Sequence, residues 1–164
     1  MKDSRQFVCA CTGGTYGPMH DGHKKVFDHA LLIAEYLVVR IATDRYLDEF
    51  SKKNFRELIS PYDERSGKVY EYLDHFYPDR FEILPLDSRE NCTNCKFHNF
   101  TEAMVVGQDS QARAYKLNLK RRESGLYEVF IIGVPAKLSD NKERISSTDI
   151  RKGVITPEGR IITP

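Results

Sequence analysis

The amino-acid sequence predicts an α/β fold: one domain built on a doubly wound, five-stranded parallel sheet. Three observations carry that expectation. At 164 residues with 40% hydrophobic content the chain is sized for a single core. Short apolar runs rich in β-branched residues alternate with helical patterns from end to end, the arrangement that yields parallel strands with helices on both faces. Every polar, glycine-marked segment of chemical interest falls just after one of those runs, where ligands bind in open α/β sheets.

In order, "QFVCACT" (6–12) reads as a buried first strand ending at the Gly13–Gly14 breaker. "HKKVFDHALLIAEY" (23–36) places Val26, Ala30 and Ile33 on one helical stripe, with Leu32 and Tyr36 near it. "LVVRIAT" (37–43) is a second strand, followed by a short helix and a polar loop with Lys52, Lys53 and Arg56. "SPYDERSGKVYEYLDHF" opens a helix with Ser60 as cap, Pro61 in the first turn, and Asp63 and Glu64 at the positive end. "FEILPL" (81–86), "EAMVVG" (102–107) and "YEVFIIG" (127–133) are the remaining strands. A helix that ends at Gly125 separates the last two, and "SSTDIRKGV" starts a helix near the chain's end.

A net charge of +1 excludes a general attraction to nucleic acid or membrane and directs attention to a locally charged pocket. No run approaches the length of a membrane span, and the short apolar stretch after the first residues is not expected to be a secretory leader. The expected compartment is the cytoplasm. Without a leader, Cys9, Cys11, Cys92 and Cys95 read poorly as a disulfide framework. Cys9 and Cys11 alternate on a buried strand and read as core. Cys92, Cys95 and His98 could hold zinc, but a structural zinc site needs a fourth ligand, and the loop at 87–99 also reads as a plain polar loop beside the pocket.

The chemistry is concentrated in "GGTYGPMHDGHKK" (13–25). A glycine-rich turn after a strand exposes backbone N–H groups, and the following helix points its positive end at the same place. His20 and His23 lie three apart at that helix start, so both imidazoles can donate to one phosphate and stabilise charge growing on it. Thr15 adds a hydroxyl, Pro18 stiffens the turn, and Gly22 permits close approach. A metal-binding histidine pair is the other option, but the H-E-x-x-H pattern is absent. Near the other end, Ser146, Ser147 and Thr148 sit at a helix N-terminus with Arg151 one turn later, a second phosphate-holding arrangement.

"GGTYGPMHDGH" resembles the G-T-F-x-x-x-H-x-G-H signature of the nucleotidylyltransferase superfamily, and "ISSTDIR" (145–151) resembles its second signature, I-S-S-T-x-I-R. "TDRYLDEF" with "PYDER", "VVGQDSQARAYKLNLKRRESGL" and "RKGVITPEGR" look like the archaeal/eukaryotic-type phosphopantetheine adenylyltransferases, so the likeness covers nearly the whole chain. Tyr16 stands where phenylalanine is commoner, and "GQDS" replaces an acidic stretch after the fourth strand; these departures bear on the acceptor.

The resemblance implies a Rossmann-like domain that transfers the adenylyl group of ATP to 4′-phosphopantetheine, giving dephospho-coenzyme A and pyrophosphate, with Mg²⁺ bridging phosphate oxygens. It implies that His20 and His23 act on the ATP phosphates and that Gly14 and Thr15 seat the acceptor phosphate. Lys52 or Lys53 brings a cation to the reacting groups. Ser146, Ser147, Thr148 and Arg151 hold the β- and γ-phosphates, and Arg121 assists, Asn118 and Arg121 matching positions of the family's helix. Two rivals stay open: another acceptor (FMN, nicotinamide mononucleotide, a polyol or choline phosphate, with ATP or CTP), and a nucleotide-binding regulator without activity.

Overall fold

The computed structural model describes residues 5–51, 53–88 and 101–163. Its strands are β1 (Phe7–Gly14), β2 (Ala34–Ala42), β3 (Phe81–Leu86), β4 (Ala103–Gly107) and β5 (Phe130–Val134). Its helices are α1 (Asp21–Ile33), α2 (Asp44–Phe50), α3 (Tyr62–Phe76), α4 (Gln111–Glu123) and α5 (Ser147–Arg151). The five strands form one sheet in the order β3-β2-β1-β4-β5, and each neighbouring pair is parallel. The chain reverses its direction of travel across the sheet between β1 and β4, so the crevice lies beyond the ends of those two strands.

Alternation along the strands assigns the two faces. Leu37, Val39 and Ile41 of β2 join Phe27, Ala30 and Leu31 of α1 and Val69 and Leu73 of α3 in the main core. Cys9, Cys11 and Val38 face the opposite way, packed with Leu84 and Met104. Both cysteines are buried, as their alternation on a strand implies. On that second side Ala114 and Leu117 of α4 line a cavity together with Cys11, Arg40 and Met104. The sheet is therefore covered from both sides, as the α/β pattern requires.

Several boundaries differ from the sequence reading, beginning with β1, which runs on through Gly13 and Gly14 because they pair with Arg40 and Ile41. Helix α1 stops at Ile33, and Ala34–Tyr36 belong to β2, because pairing of Phe7 with Ala34 and Cys9 with Tyr36 draws them into the ladder. Leu32, expected near the apolar stripe, is exposed, and Phe27 and Leu31 take the buried positions. Strand β5 begins at Phe130 rather than 127, because α4 claims the preceding backbone. The Asn118 side chain both donates to Val129 O at 2.7 Å and accepts from Val129 N at 2.9 Å, and Arg121 Nε donates to Tyr127 O at 3.0 Å. At the start of α3 the capping position is Pro61 rather than Ser60, and the Ser60 carbonyl serves Arg65 instead.

Arg65 is 1% exposed and joins four segments. Its Nε donates to Ser60 O at 2.7 Å, its Nη1 to Thr15 O and Ala42 O at 2.7 Å each, and its Nη2 to Asp44 Oδ1 at 2.9 Å. The glycine turn, the end of β2, the start of α2 and the approach to α3 thus share one guanidinium. The tail adds a second brace: Asp21 N–H donates to Pro157 O at 3.1 Å, and Gly159 lies so close to Ile145 that an added Cβ would stand 2.7 Å from its Cδ1. Both ends of the site are pinned by backbone contacts distant in sequence.

Replacing Arg65 with methionine removes the guanidinium donors from three carbonyls, while Asp44 keeps Tyr62 N–H and Arg56, and a stability loss of about 3 kcal/mol is expected, read as a lower urea midpoint at unchanged slope.

Candidate active site

The β1–α1 turn follows from local sequence. Tyr16 sits at φ 54, in the left-handed region that a tyrosine rarely adopts. Its ring packs beneath Gly14, where an added Cβ would lie 3.1 Å from the Tyr16 Cζ. His20 then caps α1: its Nδ1 accepts from Gly22 N–H at 3.1 Å, while its own N–H donates to His23 Nδ1 at 3.3 Å. This is a capping box made from two imidazoles in place of serine and glutamate. Gly22 is required by the ring itself, since a Cβ there would lie 2.9 Å from His20 Cε1. The H-x-G-H spacing is thus the stereochemistry of a helix cap.

Capping decides the proton positions. A neutral imidazole that accepts at Nδ1 carries its proton at Nε2, so each ring keeps one N–H donor for a ligand. The rings stack with centroids 3.7 Å apart and 20° between planes, and Tyr16 meets His23 edge-on at 4.8 Å. Desolvation lowers the pKa of His20 to about 4; Asp21 opposes the shift, and Arg144 and Lys24 reinforce it. Desolvation also holds His23 well below the ordinary imidazole value, with His20 and Lys53 adding to the effect. Both rings are neutral donors at physiological pH.

These rings line a cavity of about 430 Å³ beyond the ends of β1, β4 and β5. Gly14, Thr15, Lys53, Ser146, Ser147, Thr148 and Arg151 line it too, so among the described residues every candidate for holding phosphate except Arg121 lies there. Lys52 lies outside the described residues, as do Cys92, Cys95 and His98. Arg121 is placed elsewhere. It is 8% exposed in the last turns of α4, holding Tyr127 O, more than two turns beyond the end of the helix that faces the cavity. It holds that backbone segment together with Asn118, which bonds Val129. The cation that α4 supplies to the cavity is Arg113, close to the helix start.

The second motif is more engaged than its hydroxyls suggest. Ser146 caps α5 by accepting from Asp149 N–H at 3.2 Å, and Ser147 Oγ donates to Pro18 O at 3.3 Å, tying α5 to the histidine turn. Arg151 donates to Gly17 O and to Asn54 O, joining that turn to the Lys53 loop, and its Nε is a buried donor with no partner among the described residues. Desolvation lowers the pKa of Arg151, and that of Lys53 as well, where Arg113 and Arg151 add like-charge repulsion. A cluster of cations held against their own repulsion is a site prepared for an anion.

Arg113, Lys137, Arg144 and Asp109 also line the cavity and were not selected from sequence. Arg144 and Asp109 form an ion pair between the chain before α5 and the end of β4. Arg113 had a legible signal, since it stands one turn into the helix after "GQDS" at a strand end; Lys137 and Arg144 had none. A second cavity, about 490 Å³, opens on the other side of the turn and shares Thr12–Thr15, Lys53, Ser110 and Arg113 with the first.

Two outcomes are expected. Because His20 takes a proton at about 4 folded and near 6.5 unfolded, unfolding takes up protons between those values. Stability is full above about 6.5 and falls as pH drops toward about 4, and His20→Asn flattens that slope in pH-dependent urea titrations. Arg121→Ala costs about 1–2 kcal/mol of stability in the same assay and leaves nucleotide affinity unchanged.

The sequence model of the cytidylyltransferase-like family matches residues 11–153. The chain is 31% identical over 158 residues to the phosphopantetheine adenylyltransferase of Methanothermobacter thermautotrophicus, covering 96% of this chain and 92% of that one. It is 32% identical over 152 residues to the bifunctional phosphopantetheine adenylyltransferase/NTP phosphatase of Thermoplasma volcanium, covering 93% of this chain; this chain spans only 44% of that relative's length. In fold it superposes with a TM-score of 0.63 on the bifunctional NMN adenylyltransferase/ADP ribose pyrophosphatase of Francisella tularensis, at 18% identity over 90% of this chain and 42% of that one. Paired imidazoles capping α1, the serine-threonine start of α5 and these likenesses agree: the chain belongs to the cytidylyltransferase-like family of nucleotidylyltransferases, on the branch whose relatives are named phosphopantetheine adenylyltransferases.

Proposed function

We propose that this chain transfers the adenylyl group of ATP to 4′-phosphopantetheine, releasing pyrophosphate and forming dephospho-coenzyme A. The observation that carries the reading is the pair of neutral, cap-locked histidines beside the junction of two cavities that share a turn, a lysine and an arginine. One cavity takes the nucleotide and the other the acceptor, and the shared residues lie where the two phosphates meet. The names of the relatives support the acceptor.

An oxygen of the acceptor phosphate attacks the α-phosphorus of ATP, and the bond to the bridging oxygen of the β-phosphate breaks as pyrophosphate leaves. No covalent enzyme intermediate is required; positioning and charge stabilisation suffice. The Nε2–H groups of His20 and His23 donate to the nucleotide phosphates. Because both rings are already neutral and oriented by the cap, they need no rearrangement as charge grows. Lys53 and Arg113, lining both cavities, neutralise the attacking phosphate and the transferring group together. The α5 start and Arg151 hold the β- and γ-phosphates.

Mg²⁺ enters as part of the substrate, bound to ATP. The described residues contain no cluster of three side chains able to hold a metal, and the cavity offers one carboxylate, Asp109. That donor set suits an ion carried on phosphate oxygens with its own waters. Among the described residues no helix is long and apolar enough to cross a membrane.

Pyrophosphate release from MgATP with 4′-phosphopantetheine, run beside CTP and a panel of phosphorylated acceptors, tests the reading; release only with another pair overturns it. His23→Ala is expected to keep the fold by circular dichroism and to lower kcat by about 10²-fold or more, the scale for losing an oxyanion-type donor.

A further inference from the structure

Arg40 is a charged residue in a place where strands usually carry aliphatic side chains. It lies on β2, paired in register with Gly13 of β1 and Leu84 of β3, two neighbours inside the sheet. It is only 9% exposed. Its guanidinium makes one hydrogen bond among the described residues, Nη1 to Pro85 O at 3.3 Å, and its Nε is buried with no partner. Among the described residues it has no ion-pair partner. A buried cation with unused donors costs stability, which the fold recovers only if something completes the site.

The second cavity is where that completion can occur. Arg40 lines it with Tyr46, Phe50, Leu86, Met104 and Leu117, an apolar and aromatic wall. The other cations in this cavity, Lys53 and Arg113, belong to the end shared with the nucleotide. Gly13, Arg40's partner on β1, has no side chain to fill the floor, and even a Cβ there would reach within 3.7 Å of the Arg40 Cβ. Among the described residues the cavity thus combines three cations with an apolar and aromatic wall, and Arg40 is the cation of the three that does not also line the first cavity.

We infer that Arg40 is a specificity-determining residue for the acceptor, donating N–H bonds to an amide carbonyl on the arm of the molecule whose phosphate lies at Thr15, Lys53 and Arg113. This rests on the acceptor reading above. A guanidinium has five donors and no acceptor, so its complement is a group that only accepts. An amide carbonyl in an apolar slot meets that need, and a site built around such a bond rejects analogues that lack the group. 4′-Phosphopantetheine carries two amides beyond its phosphate and no other charge. Arg40 therefore selects for the arm and takes no part in phosphoryl chemistry.

The test compares the wild-type chain with Arg40→Lys and Arg40→Met in steady-state assays. The acceptors are 4′-phosphopantetheine and 3-hydroxy-2,2-dimethylpropyl phosphate, which keeps the phosphate end and lacks both amides. The expected result is a KM for phosphopantetheine raised about tenfold or more in Arg40→Met, with the KM for ATP changed less than about twofold. With the truncated acceptor the wild type and Arg40→Met should be equally poor. The Nε–H resonance of Arg40, identified by its loss in Arg40→Lys, should move on adding phosphopantetheine or dephosphorylated pantetheine and stay fixed with inorganic phosphate. That last readout uses the wild-type protein, so a variant that misfolds does not decide the matter. Turnover of phosphopantetheine by wild type with no selective KM effect, or binding that leaves the Arg40 resonance in place, overturns the inference and leaves the function standing. A folded wild type that neither binds nor turns over phosphopantetheine overturns the function, and the inference falls with it.

Discussion

The guanidinium of Arg65 is the contact on which the site depends. Buried at 1% exposure, it gathers the carbonyls of Thr15, Ala42 and Ser60 and the Asp44 carboxylate at one point. Those groups belong to the glycine turn, the end of β2, the approach to α3 and the start of α2. Each is a chain end or turn whose backbone acceptors would otherwise lose water without compensation. One planar, permanently charged donor set satisfies them and ties the glycine turn to the end of β2 and to Asp44 and Ser60, which flank the segment carrying Lys53.

Around this hub the electrostatics are arranged in opposition. Among the described residues, Lys53, Arg113, Lys137, Arg144 and Arg151 surround a space holding one carboxylate, and the two imidazoles in their midst are kept neutral by desolvation and by their neighbours' charge. Neutral rings add donors without adding to the repulsion. The helix cap performs both tasks at once: it spends each Nδ1 on a backbone N–H, which stabilises α1, and leaves each Nε2–H for a ligand. Stability and readiness for an anion come from the same two hydrogen bonds.

Much of this was legible in the sequence where the cause is local. The alternation of five apolar runs with helical patterns identified the parallel sheet, and H-x-G-H with S-S-T at strand and helix ends located the cavity. The reading failed where a distant partner competes for the backbone. Ala34–Tyr36 carry a helical pattern but are paired with β1, and residues 127–129 look like strand but are held by Asn118 and Arg121. Arg121 was misplaced for the same reason: a basic helix end looks solvent-facing or ligand-facing until the loop it captures is known. Arg113, one turn into the same helix, holds the position that Arg121 was expected to hold.

The sequence by itself determined the order of strands and helices, the helix-cap chemistry of His20, Gly22 and His23, and the family that those spacings mark, because these depend on residues within a turn or two of one another. The tertiary structure alone decided which cations share the cavity, that Arg65 joins four segments, and that Arg40 lines the second cavity with a buried Nε that has no partner among the described residues. Those facts depend on crossovers that bring β2, β4 and α5 to the end of β1. Proximity of that kind is a property of topology, which sidedness and spacing along the chain do not encode.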